Sequence, residues 1–329
     1  MPPSVRLSTL TVSEGFVGLR EMISSRYRDK RQLDIPVDDI LITNGSQQGI
    51  DLVIRVLLKL GDNVGFEEPG YSGAHDTFAA AGMNIIPMPM DDEGINFKKT
   101  KRKPALVYVT PSHQYPLGVT MSLNRRLELL DYCSSIGSWI LEDDYDSEYR
   151  YNGHPLSSLQ GIDNNNSVIY MGTFSKVMFP GLRLGYLIVP ENLIESFTAA
   201  KMLTDRNSPI FEQAALEKFI TDGHYGRHIR RMRVLYEKRK KVFYNYTERY
   251  LSKHLKLHHA EAGLHTIGWL LNINNDIEFS KLMFKNGIIT PPLSAYSIKK
   301  NCSPGLVLGY AAYSEQEIKT TIKKMASLL

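Results

Sequence analysis

The segment GTFSKVMFPGLRLGY, residues 172–186, is the most informative stretch of the chain. The apolar run SVIYMGT, residues 167–173, predicts a buried strand that brings Thr173, Ser175 and Lys176 to the edge of a sheet. A lysine at such an edge can condense with an aldehyde, and two hydroxyl groups with the guanidinium of Arg183 can hold a phosphate. A lone Ser-Lys pair is more often part of a structural loop, but the whole string favours a ligand that carries both groups.

A second segment, WILEDDYDSEYR at residues 139–150, places acids at the end of a predicted buried strand. A buried carboxylate is costly unless it has a partner, and a protonated pyridine nitrogen is such a partner. We expect Asp143 to pair with the protonated nitrogen of a bound pyridine ring and so to keep that ring an electron sink. We expect Tyr145 to form a hydrogen bond with a hydroxyl group on the same ring. On its own, the segment fits a magnesium site or a helix N-cap equally well. Together with the lysine segment it favours pyridoxal phosphate, and no metal site is predicted.

A third segment, TNGSQQGID at residues 43–51, is a glycine turn that opens a helix. The free N–H groups of a helix N-terminus bind anions, helped by the helix dipole. We therefore expect Gly45, Ser46 and Gln47 to hold the phosphate from the side opposite Arg183. Taken alone, the same residues favour an ordinary N-cap.

Two further loops follow predicted strands and are expected to overhang the cofactor. EEPGYSG, residues 67–73, carries Tyr71. Two interpretations of Tyr71 are equally favoured: its ring stacks on the pyridine ring, or it only packs against other side chains of the protein. TPSHQYPLG, residues 110–118, carries Ser112 and His113, which are candidates for contacts with the ring or its hydroxyl.

The order of elements predicts an α/β fold with a large, mixed, mostly parallel sheet that is covered by helices on both faces. In such sheets ligands bind at the carboxyl ends of the strands, where the polar segments described above occur. We predict a large cofactor-binding domain at residues 1–205, of which the first ~15 belong to the small domain or are a remnant. A smaller α+β domain is predicted at residues 206–329, with a helix at 223–251 and strands at 287–290 and 305–309.

Composition excludes several classes of protein. Of 329 residues, 43% are hydrophobic and 22% charged, and the net charge of +4 indicates neither a nucleic-acid nor a membrane partner. Cys133 and Cys302 are the two cysteines, so a disulfide framework and a thiolate zinc site are excluded. No signal peptide or membrane span is visible, and we expect a soluble protein in a reducing cytoplasm.

The order GSQQ, EPGY, TPSHQ, EDDYDSE and GTFSK followed by FPGLRLGY resembles class I and II aminotransferases of fold type I. It is more similar still to the aminotransferase-like domain of MocR-type transcriptional regulators of the GntR family. The resemblance covers about residues 14–329. It implies a homodimer with pyridoxal phosphate near the subunit interface, and a small domain made from both chain ends. MocR-type proteins also carry an N-terminal winged-helix DNA reader, and no such module is visible before residue 14.

The chain departs from these relatives in three places. Its start is shorter than theirs, and Leu10 and Thr11 stand where relatives have a Tyr-Gly that reaches the partner's cofactor phosphate. Class I aminotransferases bind the substrate α-carboxylate with a late arginine, and the resemblance puts Val307 in its place. A valine cannot pair with a carboxylate, which argues against ordinary amino-acid transamination.

Three functions follow as hypotheses. The first is a regulatory domain that senses pyridoxal phosphate, or a small amine or amino acid that reacts with it. The second is a working aminotransferase with Lys176, Asp143 and Tyr145 as catalytic residues and Lys176 as general base. The third is a folded fragment that binds no cofactor. The first two share one site, so they predict the same residues.

Overall fold

The computed structural model describes residues 13–31, 33–151 and 157–329, so Leu10 and Thr11 lie outside the described residues. A large sheet has eight strands in the order β1-β8-β7-β6-β5-β2-β3-β4. In chain order these are β1 (Ile40–Thr43), β2 (Asn63–Glu68), β3 (Asn84–Asp91), β4 (Gly94–Ile95), β5 (Leu106–Val109), β6 (Trp139–Asp144), β7 (Val168–Thr173) and β8 (Gly185–Ile188).

The large sheet is mostly parallel. Strands β3, β2, β5, β6 and β7 are parallel to their neighbours in this series. Strand β8 runs antiparallel between β7 and β1, and β4 is antiparallel to β3 at the far edge. The predicted large, mixed sheet is confirmed, and the carboxyl ends of its parallel strands meet at one edge.

Helices cover both faces of this sheet. They are α1 (Val17–Arg31), α2 (Ser46–Leu57), α3 (Ser72–Ala80), α4 (Leu123–Ile136), α5 (Leu159–Ile162), α6 (Ile194–Thr204) and α7 (Ile210–Thr221). Side chains alternate along a strand, so Leu106 and Tyr108 of β5 pack in one core with α2 and α3, whereas Val107 packs with α4 on the opposite face. The alternating apolar residues are the reason the sheet is buried on both sides.

A smaller antiparallel sheet has the order β11-β10-β9. Its strands are β9 (Leu255–Leu257), β10 (His265–Leu270) and β11 (Gly305–Gly309), and its helices are α8 (His224–Leu251), α9 (Asp276–Lys285) and α10 (Glu315–Ala326). Helix α8 joins the two cores, because Tyr225 and Ile229 pack with α1 and α7 whereas Phe243 and Leu251 pack against the small sheet. The domain division at residue 205 stays a prediction, and residues up to Ile229 share the core of the large sheet.

The predicted strand at residues 287–290 is wrong, since these residues form no regular secondary structure. Pro291 and Pro292 follow directly, and proline has no N–H group with which to continue a ladder. Only an isolated bridge between Pro292 and Leu306 and a 2.8 Å hydrogen bond from Val307 N to Pro291 O join this segment to β11. Helices α6 and α7 were not predicted from the sequence.

Candidate cofactor-binding site

A cavity of about 280 Å³ opens at the carboxyl ends of the parallel strands. It is lined by ten of the twelve predicted site residues, together with residues of the small sheet. The ten are Gly45, Ser46, Gln47, Tyr71, Asp143, Tyr145, Thr173, Ser175, Lys176 and Arg183. Residues from four of the predicted segments are thus brought to one place by the edge of the sheet.

Asp143 is the penultimate residue of β6, and its carboxyl group is buried. The hydroxyl of Tyr108 donates a 2.6 Å hydrogen bond to its Oδ2 atom. Its Oδ1 atom is buried and has no hydrogen-bond partner among the described residues. Burial, and after it the charges of Asp144 and Asp146, raise the pKa of Asp143 to about 7. A protonated ring nitrogen would provide the missing partner and favour the ionised carboxylate.

Lys176 follows β7, and its amine lies at the cavity without a hydrogen bond or ion pair among the described residues. The neighbouring Ser175 has a buried hydroxyl that also lacks a partner within the described ranges. Asp143 and Asp146 are near enough to interact with its charge, but neither forms an ion pair with it, so the amine is available for a carbonyl group, as predicted for this lysine.

An anion site is formed by Arg183 and the start of α2. Arg183 has a left-handed backbone (φ +50°), and its guanidinium donates a 3.2 Å hydrogen bond to Asn44 O. Gly45 precedes α2 with φ +87°, and no side chain caps the helix. A Cβ atom on Gly45 would lie 3.6 Å from Arg183 Cζ, so the guanidinium lies beside the helix N-terminus. Helix dipole and guanidinium together favour a phosphate here.

A buried polar network holds this turn in place. Asp205 accepts hydrogen bonds on Oδ2 from Asn44 Nδ2 (2.7 Å) and Gln48 Nε2 (2.8 Å). Its Oδ1 accepts a 2.8 Å bond from the ammonium of Lys201, whose side chain is fully buried. Gln48 Oε1 also accepts from Asn44 N at 2.7 Å. Helix α6 therefore positions the backbone that leads into Gly45.

Two predicted residues, Ser112 and His113, do not line the cavity. The His113 ring lies behind its wall, where Nδ1 is 2.9 Å from Asp146 Oδ2 and 3.0 Å from the Tyr145 hydroxyl. Tyr145 also donates a 2.8 Å bond to His113 O. A Cβ on Gly263 would lie 1.9 Å from His113 Cε1, so close packing fixes the ring behind the wall. Ser112 is half-buried, and its carbonyl accepts from Thr120 at 3.4 Å.

Seven further residues line the wall of the cavity and were not predicted from the sequence. They are Tyr108, Thr110, Tyr115, Asp146, Pro180, Leu264 and His265. His265 begins β10 of the small sheet, and its ring centroid lies 4.8 Å from that of His113 and 5.1 Å from that of Tyr115. Burial, and next the neighbouring His113, lower the pKa of His265 to about 3, so the ring is neutral at pH 7. No local sequence signal marks it, because only the packing of the two sheets brings it here.

A second buried acid, Glu67 of β2, lies beside this wall. It accepts hydrogen bonds from Thr110 N (3.0 Å), Thr110 Oγ1 (2.6 Å) and Gln114 Nε2 (3.1 Å). Burial raises its pKa to about 7, and the charge of Asp143 adds to that rise. Its hydrogen bonds fix the loop that follows β5.

The alternative of a metal site finds no support in the described ranges, which contain no group of three or more His, Cys, Asp or Glu side chains arranged to hold a metal ion. In the same part of the chain, no helix has both the length and the apolar character needed to cross a membrane.

Comparison with known proteins identifies the family. The model of aminotransferase class I and II matches residues 7–325. The chain belongs to this family. It is 35% identical over 314 residues to the probable rhizopine catabolism regulatory protein MocR of Rhizobium meliloti, a match that covers 95% of this chain and 64% of that protein. It is 36% identical over 308 residues to the uncharacterized HTH-type transcriptional regulator YdeL of Bacillus subtilis (strain 168), covering 93% and 66%.

A solved aminotransferase has the same fold. The crystal structure of Pyrococcus horikoshii kynurenine aminotransferase, in complex with PMP, superposes with a TM-score of 0.88 at 30% identity, covering 96% of this chain and 81% of that one. This chain is an aminotransferase-like domain of fold type I, similar to MocR-type regulators, and it spans about two thirds of the length of the curated relatives it matches. Pyridoxal phosphate is its cofactor.

The residues that line the cavity fit pyridoxal phosphate. The unpartnered Oδ1 of Asp143 suits a ring nitrogen, the anion site at Gly45 and Arg183 suits a phosphate, and the free amine of Lys176 suits an aldehyde.

Proposed function

We propose that this chain is the effector-sensing domain of a MocR-type transcriptional regulator, and that Val307 is the residue that separates it from a working aminotransferase. Val307 is buried in β11 opposite Ile267 and packs with Leu293 in an apolar cluster. An arginine that binds a substrate carboxylate is expected at this position, and valine provides no charge. The absence of that cation is the observation that carries the proposal.

In this proposal each residue of the cavity has a defined task. Lys176 holds the cofactor covalently through its amine, and Asp143 holds the ring nitrogen in its protonated form. Arg183 and the N–H groups at Ser46 and Gln47 bind the phosphate. When bound, pyridoxal phosphate supplies an aldehyde that reacts with amines and a ring that withdraws electrons. Tyr145 and Tyr71 restrict the orientation of the ring.

The signal would be a change in how the small sheet packs on the large one. His265 of the small sheet and Leu264, which directly precedes it, line the same cavity as the large-sheet residues. His265 Nε2 lies 3.1 Å from Pro116 O of the loop after β5. A ligand in the cavity therefore touches both sheets, and it shifts their arrangement by as much as its affinity for the two arrangements differs.

A working aminotransferase is the second candidate, and the free amine of Lys176 favours it. A general base needs an amine that no carboxylate holds, and Lys176 has no ion pair among the described residues. In this case Lys176 would move a proton on the substrate after release from the cofactor.

We also propose that the chain forms a homodimer. Apolar side chains are exposed at the end of α6 and the start of α7, where Leu203 is 89% and Phe211 is 90% exposed. Solvent-exposed apolar surface of this kind is typical of protein interfaces. Sedimentation velocity would show a dimer for the native chain and a monomer for Phe211→Glu. A monomeric native chain would contradict this part of the proposal.

A helix-turn-helix DNA reader is the partner we propose for the regulatory function. The Bacillus subtilis relative is named as an HTH-type regulator, and about a third of its length lies outside the match. Such a regulator works in the cytoplasm, and the unpaired thiols of Cys133 and Cys302 agree with a reducing compartment.

The deciding experiment is a titration with pyridoxal phosphate. It is monitored by the visible absorbance of the cofactor bonded to a lysine. We expect a saturable band that Lys176→Ala abolishes and that Lys218→Ala, a change at an exposed lysine, leaves intact. A panel of amino donors and keto acids is then added to the loaded protein. Sustained turnover would support the aminotransferase and contradict the sensor. No band in the native chain would favour the cofactor-free fragment.

A further inference from the structure

The charges around the cavity restrict the ligands that it can accept. Among the described residues that line it, Lys176 and Arg183 alone carry a positive charge at pH 7, since His265 is neutral there. Both are assigned to the cofactor in the proposed function, one to its aldehyde and one to its phosphate. The carboxyl groups of Asp143 and Asp146 lie on the same wall and offer a carboxylate no positive charge. A carboxylate on the ligand would thus find acids and no unassigned cation.

The residues of the small sheet that lie on the same side as His265 are apolar. His265 and Ile267 are two residues apart in β10 and therefore face the same side of the sheet. Val307 is the cross-strand neighbour of Ile267 and lies on that side too. Leu117 and Tyr296 complete this apolar cluster next to the cavity.

The remaining wall is aromatic. The Tyr115 ring makes edge-to-face contacts with Tyr71 (5.7 Å between centroids), Tyr296 (5.4 Å) and Tyr145 (6.1 Å). The Tyr115 hydroxyl donates a 3.2 Å hydrogen bond to that of Tyr296, so its proton is not available to a carboxylate. Leu264 lies on the same wall. Such surfaces bind apolar and aromatic groups.

We propose that the site selects primary amines that lack an α-carboxylate and carry an apolar or aromatic group. This inference rests on the proposed function, because it takes Lys176 and Arg183 as occupied by the cofactor. The amine group is directed to Lys176 and the acids beside it, and the apolar group to Tyr115 and Leu264. The corresponding amino acid differs only in a carboxylate that the site does not accommodate.

Matched pairs of compounds test this selectivity without requiring turnover. The protein loaded with pyridoxal phosphate is titrated calorimetrically with 2-phenylethylamine against phenylalanine and with pentylamine against norleucine. We expect each amine to bind at least tenfold more tightly than its amino acid. We also expect a larger rise in melting temperature from the amine, since a ligand stabilises the state that it binds.

A change at Val307 tests the origin of the selectivity. Val307→Arg is expected to reduce the preference for amines tenfold or more, while Val307→Met, which adds bulk without charge, leaves it unchanged. The pairwise titration of the native protein decides the inference even if Val307→Arg does not fold. Equal or tighter binding of the amino acids, or no binding of either class, overturns it. A protein that binds no pyridoxal phosphate overturns the proposed function, and the inference with it.

Discussion

The Tyr108 hydroxyl donates a 2.6 Å hydrogen bond to one oxygen of Asp143, and the other oxygen of that carboxyl is buried with no partner among the described residues. The hydrogen bond fixes the orientation of the carboxyl group. It therefore also fixes the direction in which the unpartnered oxygen accepts. Tyr108 is itself held by stacking on Phe66, with centroids 5.2 Å apart and planes at 10°. The site is thus oriented before a cofactor enters.

Tyr108→Phe is expected to weaken pyridoxal phosphate binding about tenfold, since a hydrogen bond to a charged group contributes ~1.5 kcal/mol. The phenyl ring keeps its contact with Phe66, so a loss of packing does not explain the result. The absorbance titration measures the effect. Tyr132→Phe, at a tyrosine stacked on Phe97, is the matched control and should bind normally. Unchanged affinity in Tyr108→Phe would mean that Asp143 is oriented by other contacts.

The contribution of Asp143 and Glu67 to the stability of the cofactor-free protein should fall as pH rises from about 4 to about 7. Burial raises the pKa values of Asp143 and Glu67 to about 7, above the 3.8 and 4.5 of the unfolded chain. In that window the folded state binds more protons, so the free energy of unfolding decreases as pH rises. Melting temperatures at pH 5 and 8 measure this.

Asp143→Asn should flatten the Asp143 part of that pH dependence and raise the melting temperature at pH 8. The same change should weaken cofactor binding, because an amide cannot pair with a charged nitrogen. Glu67→Gln should reduce the pH dependence with a smaller effect on binding. An identical pH profile in both variants and the native chain would show that other groups control it.

Asp205→Asn should destabilise the chain by about 2 kcal/mol and also weaken cofactor binding. It leaves the buried ammonium of Lys201 without its partner, and an uncompensated buried charge is strongly destabilising. Adding Lys201→Met should restore most of the stability but not the affinity, because the Asp205 contacts to Asn44 and Gln48 stay weakened. Denaturant unfolding and the absorbance titration separate the two effects.

The control for the Lys201–Asp205 pair is the double change Lys218→Met with Asp222→Asn. Lys218 and Asp222 also form an ion pair four residues apart, but this pair is exposed to solvent. Exposed pairs contribute little, so stability should be close to that of the native chain. A similar loss in this control would contradict the role assigned to burial.

Gly45→Ala should cost about 2 kcal/mol of stability, since φ +87° is unfavourable for a residue with a side chain. It should also weaken cofactor binding, because any backbone adjustment turns the N–H groups of α2 away from the phosphate. Gly61→Ala is the matched control, with φ +86° and no atom within 4 Å of the new Cβ. We expect Gly61→Ala to lose stability and keep its affinity. Equal affinity in both variants would exclude a phosphate at this turn.

The ends of the strands were predictable from the sequence because each is marked by a change from apolar to polar residues. An apolar run that stops at a polar segment marks where a strand leaves the sheet, and this located Asp143, Thr173 and Gly45 at the cavity. The family resemblance then joined these segments into one site. Most of the predicted cofactor-binding residues follow from this rule.

Contacts that depend on packing between distant segments were not predictable. His265 reaches the cavity from a sheet that is formed more than 200 residues after β1, and no local pattern indicates that approach. His113 was expected to overhang the cofactor with its loop, whereas Asp146, Tyr145 and Gly263 enclose its ring behind the wall of the cavity. The strand predicted at 287–290 had apolar residues of the right kind, but the prolines after it prevent pairing.

Helix α8 has a consequence for how the two sheets can move. Its 28 residues span about 42 Å, with Ile229 anchored in one core and Phe243 in the other. A helix bends or rolls far more easily than it stretches, because stretching breaks its hydrogen bonds. The separation of the two cores along this axis is therefore constant, and in the proposed sensor a ligand would change the angle between the sheets rather than their distance.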